Sequence, residues 1–204
     1  MAIMCDKLKK LQKLNVANNY QATAENLFSA TQWSSIPVDI EEILKRLEIP
    51  YGEKDFSNSE KILKSNNILS MSVQGMVHID NENIKIFYNP KFKDKNASEQ
   101  KIRFTLAHEL AHSILNGDKI DEDGGFIDLY RTDEAIDINT EIGEMEYEAN
   151  ILAGEILLPT NVFKVIYRVL RDDGRSIADI YKSLSNIFDV SKTVVKAKID
   201  YLQL

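Results

Sequence analysis

His108-Glu109-Leu110-Ala111-His112 holds two of the chain's three histidines, four residues apart, with a glutamate between them. On a helix, positions i and i+4 share a face, with Cβ atoms roughly 6 Å apart. Two imidazoles so placed can grip one zinc ion at about 2.0–2.1 Å each. The glutamate after the first histidine can then take a proton from a water held beside them. The pattern points to zinc hydrolase chemistry, and within it to a peptidase.

A catalytic zinc takes three protein ligands and keeps a fourth position open, so one more ligand is required. His78 is the remaining histidine and reads as an ordinary strand residue. A carboxylate fits better, and the helix expected from Glu141 to Leu158 carries several. Its core stripe is Ile142, Met145, Ala149, Leu152 and Ile156. One flank (Glu144, Glu148, Ile151, Glu155) is mostly charged and reads as solvated. The other (Glu146, Asn150, Ala153, Leu157) is small or apolar except for Glu146 and Asn150. A carboxylate on a drying flank needs a partner, so Glu146 is favoured over Glu148 as the third ligand. Asn150, one turn on, could hold a ligating histidine in place.

The elements that must position these groups are legible as a coarse pattern. Asn96 and Glu99 form a capping-box signature, and the spacing predicts a helix over Ala97 to Asn116, stopped by Gly117. Phe104, Ala107, Ala111 and Ile114 form its core stripe, with Thr105, His108, His112 and Leu115 beside it. Upstream, helices are expected over Val16 to Thr31 and from an Asp39 cap through Leu47. Ile49 to Phe56 is a short extended piece, and Ile68 to Val73 a strand. Gly75 to Asp80 and Ile84 to Tyr88 read as a hairpin around Asn81-Glu82-Asn83. Gly117 to Thr140 reads as a long acidic irregular loop. Three shorter helices follow, Asn161 to Arg171, Ile177 to Phe188 and Ser191 to Leu202. The last two, broken at Asp189-Val190-Ser191, resemble a helix-turn-helix.

Arg103-Phe104-Thr105-Leu106-Ala107-His108-Glu109-Leu110-Ala111-His112 resembles the active helix of the ImmA/IrrE metallopeptidases. The run Glu146-Tyr147-Glu148-Ala149-Asn150-Ile151-Leu152-Ala153, ending in Leu157-Leu158-Pro159, is similar to that family's second motif. Pro37-Val38-Asp39-Ile40 is similar to its N-terminal portion. The resemblance implies His108, His112 and Glu146 as zinc ligands, Glu109 as the catalytic acid/base, and a helix-turn-helix repressor as substrate. Ala111 stands where the family usually has glycine, and Gly154 where it usually has alanine. The spacing from His112 to Glu146 is on the long side. The resulting expectation is an α+β fold: a small antiparallel sheet on a zincin-like helical core over residues 16–159, after a flexible stretch 1–15. Residues 160–204 form a C-terminal helical portion packed on it. Tyr130, Arg131 and Tyr88 are candidates for stabilising an oxyanion, and the sequence does not choose among them. The edge of Ile84 to Tyr88 is a candidate for pairing with an extended substrate.

Composition bounds the rest. The chain has 204 residues, 44% of them hydrophobic, and a net charge of −7, enough apolar content for a substantial core. A single cysteine, Cys5, excludes an internal disulfide framework and a cysteine zinc cage, and fits a reducing compartment. No signal-peptide pattern and no apolar run of membrane-spanning length is present, so a cytoplasmic location is expected. About twelve acids against two bases lie between Asp118 and Glu148, while residues 160–204 are net basic by about three. An acidic chain is a poor generic nucleic-acid binder, so direct binding to nucleic acid is not expected. Two functions follow as alternatives: an intracellular zinc endopeptidase acting on a repressor that controls mobile-element or stress-response genes, or a non-proteolytic zinc-containing protein or DNA-associated regulator that sequesters one.

Overall fold

The computed structural model describes residues 6–56, 73–79, 83–90, 98–117, 127–132 and 140–204, with the side chains of Ser98, 127–132 and Ile142 excepted. Among these residues there are eight helices and four strands. Helices α1 (Asp6–Gln12), α2 (Tyr20–Thr31) and α3 (Ile40–Arg46) precede the strands β1 (Tyr51–Glu53), β2 (Val73–Ile79) and β3 (Ile84–Tyr88). Helix α4 (Ser98–Leu115), strand β4 (Ile127–Thr132), then α5 (Glu141–Leu157), α6 (Thr160–Asp172), α7 (Ile177–Phe188) and α8 (Lys192–Leu202) complete the chain. The fold is α+β.

The helix starts follow from capping chemistry. Asn19 Oδ1 accepts from Ala22 N at 3.0 Å, so α2 begins at Tyr20 rather than at Val16. Asp39 Oδ1 accepts from Glu42 N at 3.0 Å, and Thr140 Oγ1 from Gly143 N at 3.0 Å. Each bond satisfies one backbone N–H that the first turn leaves without a partner. The capping box expected at Asn96 lies outside the described residues, as do Asn81 and Glu82 of the hairpin turn and residues 68–72 of the preceding strand.

The sheet has the order β1-β3-β2-β4. β2 pairs antiparallel with β3 and with β4, whereas β1 pairs parallel with β3. The sheet is therefore mixed, not purely antiparallel. Ile49 to Phe56 is too short to reveal its direction of pairing in sequence. β3 has neighbours on both edges, so it cannot accept an extended substrate; β1 and β4 are the edges. β4 lies inside the stretch expected to be irregular, because its acidic residues mask the Ile-Asp-Leu-Tyr alternation.

Helix α4 packs across β2 and β3. Val77, Ile79, Ile84 and Ile86 from the strands join Leu106, Ala107, Leu110, Ala111 and Ile114 of α4 in one core. On the other side of α4 lies α5, with Ala149, Leu152, Ala153 and Ile156 in the same core. Phe163, Phe188 and Val195 extend it into the C-terminal helices. No single described helix is long and apolar enough to cross a membrane.

The N-terminal stretch departs from expectation. Residues 6–12 form α1 and pack on α4, with Leu8 and Leu11 both buried. Two leucines three apart among lysines carry too little periodicity to announce a helix, yet each can contribute about 1.5–3 kcal/mol on burial. A Cβ on Gly117 would collide with the Leu8 side chain, so the end of α4 and α1 fit closely. Leu8→Ala is expected to lower stability by about 2–5 kcal/mol in urea unfolding. A loss within about 0.5 kcal/mol, the range of surface substitutions, would mean that the segment is a tail after all.

Candidate metal centre

α4 and α5 pack against one another, and Ala107, Ala111, Ala149 and Ala153 are all fully buried in their shared core. That close packing brings His108, His112 and Glu146 together in a buried group whose ligand atoms could hold a metal ion. His108 Nε2 lies 3.1 Å from Glu146 Oε2, and His112 Nε2 lies 3.1 Å from Glu146 Oε1. The two Nε2 atoms are 3.0 Å apart, with the rings nearly perpendicular at 83°.

The outer nitrogens fix the tautomers. His108 Nδ1 lies 3.1 Å from Asn150 Oδ1, and His112 Nδ1 lies 3.1 Å from Asn116 Oδ1. A carboxamide oxygen only accepts, so each Nδ1–H donates and each Nε2 is left with a lone pair. Two such lone pairs and a carboxylate then converge at about hydrogen-bond distance with no proton to share. A cation turns that repulsion into attraction, and the residues present fit one. Burial pushes the Glu146 carboxyl up, but hydrogen bonding to His108 and His112 when they act as donors overrides it and brings it to about 2.

Glu148, the alternative ligand, is engaged elsewhere: Tyr20 Oη donates to its Oε1 at 3.0 Å. His78 lies on β2 outside the metal group. Asn150 stands where its spacing placed it. Asn116 was missed, although it continues the i, i+4 ladder of His108 and His112 along α4. It stands at the expected last position of the helix, just before the Gly117 stop, and drew no role there.

Glu109 is fully buried beside β2. A Cβ on Gly75 would lie 2.7 Å from Glu109 Oε1 and collide with Thr105 Cγ2. Gly75 thus gives the strand the close approach that seats α4 and its glutamate; an isolated glycine in a strand pattern was the available signal. Of the three oxyanion candidates, Tyr88 and Arg131 are the register partners of Gly75 on its two neighbouring strands, and Tyr130 partners Met76. The Tyr88 hydroxyl donates to Glu53 Oε1 at 3.3 Å. The side chains of Tyr130 and Arg131 lie outside those described.

Replacing the carboxamide partner should loosen the metal without unfolding the chain. Asn116→Ala and Asn150→Ala are each expected to weaken metal affinity by about 10–100-fold in competition with a chromogenic chelator. Unchanged affinity in both would show that the outer hydrogen bonds do not orient the imidazoles.

Residues 80–200 match the family model described as the IrrE N-terminal-like domain, peptidase M78. No curated protein and no solved structure shows significant similarity to the chain.

Proposed function

Because the chain belongs to the peptidase M78 family with its IrrE N-terminal-like domain, we propose that it is a zinc-dependent endopeptidase acting on a protein substrate. The observation that carries this reading is the convergence of His108 Nε2, His112 Nε2 and the Glu146 carboxylate, 3.0–3.1 Å apart, with Glu109 adjoining His108 on the same helix. Two neutral imidazoles and one carboxylate are a donor set suited to zinc, leaving a fourth position for water or substrate. When bound, zinc would polarise a substrate carbonyl and bring a water's pKa toward ~7.

Glu109 does the proton work in this scheme. It immediately follows His108, and its carboxylate lies against Gly75 of β2. In that position it takes a proton from the attacking water and delivers it to the leaving amine. Asn150 and Asn116 hold the two imidazoles by Nδ1, so neither ring turns as charge develops. β4 is the sheet edge that packs on α4, and its register partner Gly75 adjoins Glu109. An extended peptide adding to that edge would run past the metal group.

The protein substrate we propose is a helix-turn-helix repressor, inactivated inside the cell, by resemblance to the family and by the sign of the charge. About twelve acids against two bases precede and enter α5, and DNA-binding proteins are basic. Sequestration without cleavage remains the second reading, favoured by the buried setting of Glu109, which leaves little room for a substrate carbonyl. Cleavage and metal content separate the two.

Elemental mass spectrometry of wild type, Glu146→Ala, Glu148→Ala and Glu109→Gln should give about one zinc per chain in all but Glu146→Ala. Glu109→Gln should keep its zinc and lose peptide hydrolysis by about 10²–10⁴-fold. Full hydrolysis by zinc-loaded Glu109→Gln would remove Glu109 from the reaction, and no zinc in folded wild type would remove the metal reading.

A further inference from the structure

The α7–α8 hairpin reaches both of the helices that carry the metal group. At its turn, Asp189 is held from α4. Arg103 Nε donates to the Asp189 backbone oxygen at 3.2 Å and lies 3.3 Å from Oδ2. Gln100 Nε2 donates to Oδ1 at 3.1 Å. Farther along, Lys198 of α8 is held from α5, its Nζ 2.6 Å from Glu155 Oε1. Arg103 precedes His108 on one helix, and Glu155 follows Glu146 on the other. Phe188, Val190, Val195 and Ile199 of the hairpin lie in the same core as Ala107 of α4 and Ala149 of α5. The hairpin therefore spans the two helices whose relative placement brings His108 and His112 to Glu146.

The junction of the hairpin is stiff. Ser185 Oγ donates to Val190 O at 2.6 Å. Asp189 closes α7 in the left-handed conformation, and Ser191 Oγ accepts from Val194 N at 3.3 Å. The contacts at either end restrict alignment more than they add stability. Lys198 and Glu155 are both almost fully buried, and such a pair contributes little net stability beside an apolar pair of the same shape. Unlike an apolar pair, it is satisfied in only one alignment of α8 on α5. The Arg103 fork is equally exacting, because Nη2 also donates to Val38 O, at 2.8 Å.

We propose that the hairpin is a brace across α4 and α5, coupled to the metal group, with Asp189 and Lys198 as positioning residues for the zinc ligands. Docked, the hairpin keeps the two ligand-bearing helices in the register that zinc requires. Zinc joins the same two helices and so holds the hairpin down. Coupling of this kind is reciprocal: whatever lifts the hairpin weakens zinc binding by the factor by which zinc resists the lifting. The proposal rests on the metal reading of the site and not on hydrolysis.

The test measures zinc affinity by chelator competition and amide hydrogen exchange by mass spectrometry, on the full-length chain with and without zinc. In wild type, zinc should slow exchange in α7 and α8 more than in β2 and β3. Asp189→Gly removes the carboxylate that Arg103 and Gln100 hold, and glycine accepts the left-handed turn without strain. Lys198→Met removes the ammonium from the other end. It strands Glu155 and can cost folding, so Asp189→Gly carries the test if it does. Each folded variant should exchange faster in α7 and α8 and bind zinc at least about fivefold more weakly. Faster exchange with unchanged zinc affinity would make the hairpin a docked appendage and overturn the coupling. Weaker zinc binding with unchanged exchange, or no change in either quantity, would overturn it as well. A folded wild type that takes up no zinc would overturn the metal reading and the coupling with it. Wild-type binding that Asp189→Gly leaves intact removes the coupling alone.

Discussion

Three groups that repel one another are held together at the centre of this protein. Two imidazole lone pairs and a carboxylate meet within 3.0–3.1 Å, in a place where burial strengthens every electrostatic term. Such a cluster survives only if the scaffold holds it or a cation neutralises it. The scaffold's part is the packing of α4 on α5, in whose shared core Ala107, Ala111, Ala149 and Ala153 are fully buried. A larger residue at any of them would overpack that core.

The other face of α4 is fixed by the sheet. Gly75 lets β2 press directly on Thr105 and Glu109, so the glutamate's position is set by the strand as much as by its own helix. The metal group and the acid/base residue are thus held from opposite sides of α4. Their relative placement depends on the sheet–helix–helix stack as a whole. Arg103, one turn before Ala107, extends the same logic to the chain's ends. Its Nη2 donates to Val38 O at 2.8 Å and its Nε to Asp189 O at 3.2 Å, tying the α3 entry and the α7–α8 turn to the metal helix.

What could be read in sequence was whatever depends on helical periodicity. His108, His112, Glu146 and Asn150 all follow from i, i+3 and i, i+4 spacing on two long helices, and the structure brings all four together. What escaped depends on pairing between distant segments. The parallel partner of β1, the placement of β4 and the packing of α1 are set by tertiary contacts that three to seven residues cannot announce. Gly75 and Asn116 escaped for a different reason. Each had a local explanation (a strand glycine, the last residue of a helix) that was sufficient without the neighbour that gives it its role.

The C-terminal helices show how a familiar local pattern can be put to another use. Asp189 adopts a left-handed conformation (φ 52°, ψ 55°) and Ser191 caps α8, the tight junction expected between paired helices. In a DNA reader, the outward face of the second helix would meet base edges and its lysines the phosphates. Here Thr193, Ala197 and Tyr201 of α8 line a cleft against α5 instead, and Lys198 is buried against Glu155. Thr160 Oγ1 also donates to Glu155, at 2.7 Å to Oε2. Breaking such a buried pair from one side is costly, because it strands a charge, so Lys198 is not free to leave Glu155 for a phosphate. Only Lys192 and Lys196 remain exposed on this helix, in a chain of net charge −7. The balance of charge and packing therefore turns α8 toward α5 and the core that holds the metal group, and away from a phosphate backbone.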